Sequence, residues 1–163
     1  MFALTVRRED YLKAIYKLQR EQRVVRVKDL AHAMGVRAPT VVGILNGLKE
    51  QGLVSQEPYG YLELSKEGIE EAQRLLEREK LVRDFFRDIL GLPEDEAELN
   101  ACAVEHYITP ACLDRFVAFV RFLKACHHGR PRWLEHYDSF AQDGELPAEK
   151  KEKCDSCDLC SPL

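Results

Sequence analysis

The sequence predicts a mainly α-helical protein, in which an N-terminal winged helix-turn-helix domain precedes a second, helical domain. Two patterns support this fold class. Residues 1–64 contain three short helical patterns followed by that of a β-hairpin, which is the element order of a winged helix. Residues 65–141 contain longer helical patterns separated by glycine and proline. Residues 142–163 are charged and contain cysteine, and we expect a mobile tail there.

Three helices are predicted in the first domain. Apolar residues recur at helical intervals over residues 8–22, which indicates an amphipathic helix. A shorter helix over residues 27–34 ends at Gly35. The third begins near Pro39, a residue that suits the first turn, and ends at Gly52. Its predicted buried stripe consists of Val42, Leu45 and Leu48.

A hairpin and four further helices complete the predicted order. The hairpin covers residues 53–64 and turns at residues 58–60, which read Pro-Tyr-Gly. Ser65 is a suitable N-cap for the long helix that follows, and Thr109-Pro110 suits the start of a later one. The predicted helices of the second domain cover about residues 65–90, 93–108, 109–126 and 133–140.

Composition indicates a globular chain without a membrane segment. It is 45% apolar and 32% charged, and no stretch approaches the roughly 20 apolar residues of a membrane span. The first residues lack the longer apolar core of a secretion signal, so we expect a cytoplasmic protein. Residues 1–64 carry ten basic and seven acidic residues, a net charge of +3, whereas the remainder has a net charge of −7. The first domain is therefore the one suited to face phosphates.

A winged helix usually binds DNA through the start of its third helix, although the same pattern also fits an ordinary helical bundle. Arg37, Ala38, Pro39 and Thr40 open this helix, and Gly43 permits close approach. Basic residues nearby would meet phosphates, while the alternative for each is a solvated surface charge. The complete set of predicted DNA-binding residues is Arg26, Lys28, Arg37, Ala38, Pro39, Thr40, Gly43, Lys49 and Tyr59.

Cys102-Ala-Val-Glu105-His106 is the strongest metal motif of the chain. On a helix, positions i, i+3 and i+4 share one face, which would carry a thiol, a carboxylate and an imidazole. These groups are ligands for divalent transition metals. The alternative is a buried cysteine and histidine that pack in a bundle.

The chain resembles the iron- and manganese-dependent repressors of the diphtheria-toxin-repressor family over residues 5–140. The resemblance rests on four segments: Asp10-Tyr11-Leu12, Ala38-Pro39-Thr40-Val41, Gly52-Leu53-Val54 and Glu105-His106. It implies a homodimeric, metal-dependent transcriptional repressor that controls metal-homeostasis genes, and not an enzyme. It also implies binding to a palindromic operator and a second domain that binds metal and dimerises. The SH3-like domain of the longer members has no counterpart, so we expect the short form.

The resemblance places the metal ligands on Asp10, Glu79, Cys102, Glu105 and His106. Cys102 matches the iron-responsive branch and Asp10 the manganese branch, whereas Glu79 departs from both because the family usually has histidine there. Three more departures predict that a second metal site is altered or missing. Lys13 replaces a carboxylate of the manganese branch, and Arg83 and Glu98 replace Glu and His of the iron branch.

The ligand types favour Fe²⁺ over Mn²⁺. Carboxylates and imidazole suit either ion, while the Cys102 thiolate favours Fe²⁺, Co²⁺ or Zn²⁺. We hypothesise that the ion connects Asp10 to ligands on later helices and so holds two recognition helices about 34 Å apart, the spacing of successive major grooves.

Cys154, Cys157 and Cys160 suggest a second inorganic site in the tail. Their C-x₂-C-x₂-C spacing resembles part of an iron–sulfur or Zn²⁺ site, which normally needs a fourth ligand. The alternative is a mobile tail with reactive thiols. A redox-sensing winged-helix factor, in which Cys102 and the tail thiols respond to oxidation, is therefore the second candidate function. An enzyme is disfavoured, because neighbouring Cys102 and His106 poorly present a nucleophile and its base.

Overall fold

A computed structural model describes residues 4–22, 24–56, 61–126 and 133–144. They form two compact units, one ending at Lys80 and the other starting at Leu81. Within these ranges, no helix is both long enough and apolar enough to cross a membrane.

The first unit combines helices with a small antiparallel sheet. In chain order the elements are α1 (Val6–Glu21), β1 (Val25–Arg26), α2 (Val27–Ala33), α3 (Ala38–Glu50), β2 (Val54–Gln56), β3 (Tyr61–Leu64) and the greater part of α4 (Lys66–Asp84). Strand β3 lies between β1 and β2, and its Leu62 pairs with Val25 of β1 while its Glu63 pairs with Ser55 of β2.

Local chemistry explains where these helices begin and turn. The Thr5 hydroxyl accepts a hydrogen bond from the backbone N–H of Arg8 at the start of α1. Gly35 has a φ of +64°, which allows the sharp turn between α2 and α3. The hydroxyl of Ser65 accepts from the backbone N–H of Gly68 at 2.9 Å, so this residue caps α4 in the predicted way.

One apolar core joins the elements of the first unit. Tyr11, Leu12 and Ile15 of α1 are almost completely buried in it. Helix α3 contributes Val41, Leu45 and Leu48, whereas the side chain of Val42 is 45% exposed. The prediction that Val42 belongs to the buried stripe is therefore wrong, because the core lies on the side of its neighbour Val41.

The second unit is helical throughout its described part. Val82, Ala101, Leu113 and Val117 form its core. Its elements are the end of α4, a π-helical segment (Phe85–Ile89), α5 (Glu94–Tyr107), α6 (Pro110–Cys126) and α7 (Trp133–Asp143).

The predicted helix to about residue 90 is found, but its last part, Phe85–Ile89, is π-helical. There the backbone N–H of Leu90 donates to the carbonyl of Phe85 at 3.2 Å, one residue further back than in an α-helix. The Phe85 ring packs edge-on against Phe116 of α6, with 4.7 Å between ring centroids. With this exception the predicted order of helices is found, and the fold class of a winged helix followed by a helical domain is confirmed.

Candidate metal centre and DNA-binding face

Two of the predicted metal ligands meet in the first unit, around one ammonium group. The Nζ of Lys13 lies 2.8 Å from Oε2 of Glu79 and 3.3 Å from Oδ1 of Asp10. The side chain of Lys13 is only 11% exposed, and those of Asp10 and Glu79 are 26% and 21% exposed. Helix α1 therefore presents Asp10 and Lys13 to Glu79 of α4 in a partly buried position.

Further ion pairs join the same two helices. Nζ of Lys17 lies 3.9 Å from Oε1 of Glu79, but this lysine side chain is 56% exposed. Nη2 of Arg78 lies 2.8 Å from Oε2 of Glu9. The contact between α1 and α4 is thus organised by charge as well as by the apolar core.

The arrangement around Lys13 is compatible with a divalent metal ion. Two carboxylates from different helices converge on one positive charge, and carboxylate oxygens are groups that coordinate a divalent ion. Oxygen ligands of this kind suit Fe²⁺ and Mn²⁺. Asp10 and Glu79 therefore have the chemistry of metal ligands, and their role as ligands stays a prediction.

The other three predicted ligands lie on α5 in the second unit. Helix α5 spans Cys102, Glu105 and His106, so their predicted helical spacing is present. Cys102 is exposed, while the side chains of Glu105 and His106 lie outside the described residues. Among the side chains that the structure does describe, no three histidine, cysteine, aspartate or glutamate residues form a metal site.

The departures from the family pattern make contacts of their own. The Nε of Arg83 lies 3.4 Å from Oε1 of Glu94, so this guanidinium pairs with the start of α5. Glu98 is exposed on the same helix. The predicted change to a second metal site stays a prediction.

The first residues of α3 form an exposed surface. Arg37, Ala38, Pro39, Thr40 and Gly43 are all exposed, as a DNA-contacting face requires. No atom lies within 4 Å of a Cβ built on Gly43.

Sequence reasoning missed two neighbours on this surface, Val42 and Asn46, which are also exposed. Pro39, Val42, Gly43 and Asn46 follow one another at intervals of three, one and three residues, which places them along one side of the helix. This spacing could have predicted Val42 and Asn46 as part of the exposed surface, but Val42 was assigned to the core instead.

The remaining predicted DNA-binding residues differ in their exposure and contacts. Arg26 is exposed, and its guanidinium lies over the ring of Tyr61, 5.2 Å from the centroid, while donating to the Tyr61 hydroxyl at 3.3 Å. Lys28 is exposed on α2, and Lys49 is half-buried near the end of α3. Tyr59 lies outside the described residues.

The cysteine tail is likewise outside the described part of the chain. Cys154, Cys157 and Cys160, with the cluster or Zn²⁺ suggested for them, therefore stay a prediction.

Fold and residue pattern define a class of helical winged-helix regulators, and comparison with known proteins identifies the family. Residues 3–62 match the N-terminal DNA-binding domain of the iron-dependent repressors, and residues 65–134 match the metal-binding and dimerisation domain of the same family. The chain belongs to the iron-dependent repressor family, whose members are transcriptional regulators and not enzymes.

Individual relatives agree with this assignment. An uncharacterised HTH-type transcriptional regulator of Methanocaldococcus jannaschii is 33% identical over 117 residues, which cover 71% of this chain and 94% of the relative. The transcriptional regulator MntR of Escherichia coli is 34% identical over 113 residues, 69% of this chain and 72% of that protein.

The solved structure of a manganese-dependent transcriptional repressor in complex with manganese superposes with a TM-score of 0.59. It is 33% identical, and the match covers 71% of this chain but only 53% of the repressor. The chain thus spans about half the length of that solved structure.

Proposed function

We propose that this protein is a metal-dependent transcriptional repressor that controls metal-homeostasis genes. The observation that carries the proposal is the convergence of Asp10 and Glu79 on one positive charge, within the unit that also presents α3. An ion held there would be bound by the same helix α1 that packs in the core beneath the DNA-binding face.

The proposed ligand set is Asp10, Glu79, Cys102, Glu105 and His106. Two carboxylates from the first unit would supply oxygen, and α5 would add a thiolate, a carboxylate and an imidazole. We propose Fe²⁺ ahead of Mn²⁺, because a thiolate ligand favours the softer ion. When bound, the metal supplies a positive charge that neutralises the converging carboxylates.

We further propose that the DNA partner is a palindromic operator read by two copies of α3. From its first residue to Asn46, the exposed side chains of this helix are small or apolar, apart from Thr40 and Asn46 itself. Asn46 is suited to adenine, whose N6 and N7 atoms it can bind with two hydrogen bonds, and Thr40 can contact either a polar edge or a thymine methyl group. Arg26 and Lys28 would bind phosphates and so position the helix.

A homodimer is part of this proposal, since a palindrome requires two reading units. Helix α6 has an exposed side that is apolar apart from Arg115 and suits a second copy: Phe119 and Phe122 are 49% and 59% exposed, beside the exposed Ala111 and Ala118. Metal would act only through its preference for the DNA-binding arrangement, so DNA would tighten metal binding by the same factor.

The experiment is anaerobic operator selection with purified protein, in Fe²⁺, Mn²⁺ or Zn²⁺ and in chelator. We expect a palindrome to be enriched only when metal is present. We also expect dithiothreitol to leave this result unchanged. On the selected operator, Asp10→Ala should raise the metal concentration needed for half-maximal DNA binding by about tenfold or more, because the substitution removes one of the proposed metal ligands.

Glu21→Ala is the matched control, since it removes an exposed carboxylate from the end of the same helix. It should leave the metal requirement unchanged. Equal operator binding in chelator, or full metal dependence in Asp10→Ala, would contradict the proposed mechanism.

A further inference from the structure

Lys13 contacts the carboxylates of both Asp10 and Glu79, and its side chain is far less exposed than that of the nearby Lys17. Its side chain is 11% exposed, compared with 56% for Lys17, which approaches the same Glu79 from one turn further along α1. Its Nζ donates a hydrogen bond to Glu79 at 2.8 Å and pairs with Asp10 at 3.3 Å. Lys13 is thus a partly buried counter-ion that contacts both acidic groups.

We propose that Lys13 is an internal competitor for metal: its ammonium group neutralises Asp10 and Glu79 in the metal-free protein and has to leave before an ion binds them. This inference rests on the proposed function, in which these two residues are metal ligands. Lys13 would thereby raise the metal concentration at which the protein responds.

Tethering makes this competition effective. The ammonium group is attached to α1 within a few ångströms of both carboxylates, so its local concentration far exceeds that of a dissolved cation. The ammonium and a metal ion cannot occupy the same position, because two cations at contact distance repel each other. A divalent ion carries twice the charge of the ammonium and is attracted more strongly by the two carboxylates. Mass action then allows displacement at sufficient metal concentration.

The side chain itself permits displacement. A lysine carries a compact charge on a flexible four-carbon stem, so its ammonium can move into solvent without moving the helix. Lys17 shows that a lysine on the same side of α1 can be accommodated with its side chain largely in solvent.

The proposal predicts effects of opposite sign on metal affinity and on the stability of the metal-free protein. In Lys13→Met the two carboxylates lose the Lys13 ammonium, so the metal-free protein should melt at a lower temperature and bind metal more tightly. A lysine with a merely structural role would stabilise the metal-free and the metal-saturated protein alike.

The test is calorimetric titration of the full-length protein with Mn²⁺, together with thermal melting in chelator and in saturating Mn²⁺. We expect the Kd of Lys13→Met to fall by about tenfold or more, since a charge-assisted hydrogen bond no longer has to be broken. The melting temperature should fall in chelator but not in saturating Mn²⁺. Lys17→Met is the matched control, because it removes the same charge near the same carboxylate, and its Kd should change much less.

Lys13→Gln, which keeps a polar side chain, is the second variant if Lys13→Met folds poorly. Equal Mn²⁺ affinity in the Lys13 variants and wild type would overturn the inference, as would an equal gain in Lys17→Met. A different result would contradict the proposed function: wild type, Asp10→Ala and Glu79→Gln would all bind Mn²⁺ with equal affinity, or none of them would bind it. The inference about Lys13 would then fail as well.

Discussion

Gly68 lies in the first turn of α4, directly against the main chain of Leu53. A Cβ at this position would overlap the Leu53 carbonyl oxygen, and that oxygen also accepts a hydrogen bond from the backbone N–H of Ser65 at 3.0 Å. The nearest atoms belong to the main chain of Leu53, which cannot move aside as a flexible side chain could. The glycine therefore permits the start of α4 to approach the segment between α3 and β2.

Gly68→Ala should destabilise the protein by about 1–3 kcal/mol, as overpacking of a tight contact does. Gly43→Ala is a matched substitution of another helical glycine, but in open space. It should stabilise by about 0.5–1 kcal/mol, because alanine is the better helix former. Urea unfolding of both variants measures the difference, and equal changes in the two would contradict the contact described for Gly68.

Single residues were predictable from sequence where a local rule determines them. Ser65 caps α4 as expected, because its hydroxyl needs only the N–H of Gly68, three residues away. The choice between Val41 and Val42 depends instead on where the core lies, since both valines have helical spacing to Leu45 and Leu48.

At the scale of elements, the long helices and the hairpin followed from periodicity, whereas two short features did not. Strand β1 has only two residues, too few for an alternating pattern, and it forms because Val25 pairs with Leu62. The π-helical segment Phe85–Ile89 continues a helical pattern without a break in sequence. Phe85, its first residue, packs on Phe116 of α6, a contact that only the tertiary fold establishes.

Helix α4 contains a pair that makes its stability sensitive to acid. Arg74 donates to Glu71 from two of its three guanidinium nitrogens, with Nη2–Oε1 at 2.6 Å and Nε–Oε2 at 3.0 Å. These hydrogen bonds lower the pKa of the nearly buried Glu71 carboxyl below its ordinary value, against the opposing effect of burial.

A lowered folded-state pKa means that Glu71 stabilises the folded protein above its unfolded-state pKa, about 4.3 for glutamate. This contribution is lost as pH falls through the lower, folded-state value. Glu71→Gln should therefore lose about 1 kcal/mol at pH 7, a modest value because Arg74 is partly exposed. The deficit relative to wild type should shrink progressively below about pH 4.3. Chemical unfolding from pH 7 to pH 3 measures this trend, and a constant deficit would contradict the assignment.

For the whole molecule, sequence spacing predicted the part of the candidate site that is local. The helix that carries Cys102, Glu105 and His106 is found where periodicity predicted it, while their role as ligands stays a prediction. Asp10 and Glu79 were proposed only through family resemblance, because no spacing rule connects α1 with α4. The contact of Lys13 with Glu79, 66 residues apart in sequence, could not be foreseen, since it depends on how the first unit packs these helices.

The exposed apolar side of α6 provides the test of assembly. The family domain matched by residues 65–134 is a dimerisation domain, and Phe122 projects from α6 on the side away from Leu113, Val117 and Val120. If two copies meet there, Phe122→Glu places a carboxylate in an apolar interface and should raise the dimer Kd by about 30-fold or more.

Gln142→Glu is the control for this substitution, because it adds the same charge at an exposed position of α7. Sedimentation equilibrium should then find monomer for Phe122→Glu at concentrations where wild type and Gln142→Glu are dimeric. Circular dichroism should remain that of a folded helical protein, since Phe122 lies outside the core. A folded Phe122→Glu variant with the dimer Kd of wild type would place the interface elsewhere on the second unit. A monomer that also loses metal-dependent operator binding would connect assembly with DNA recognition, because each half of a palindrome needs its own α3.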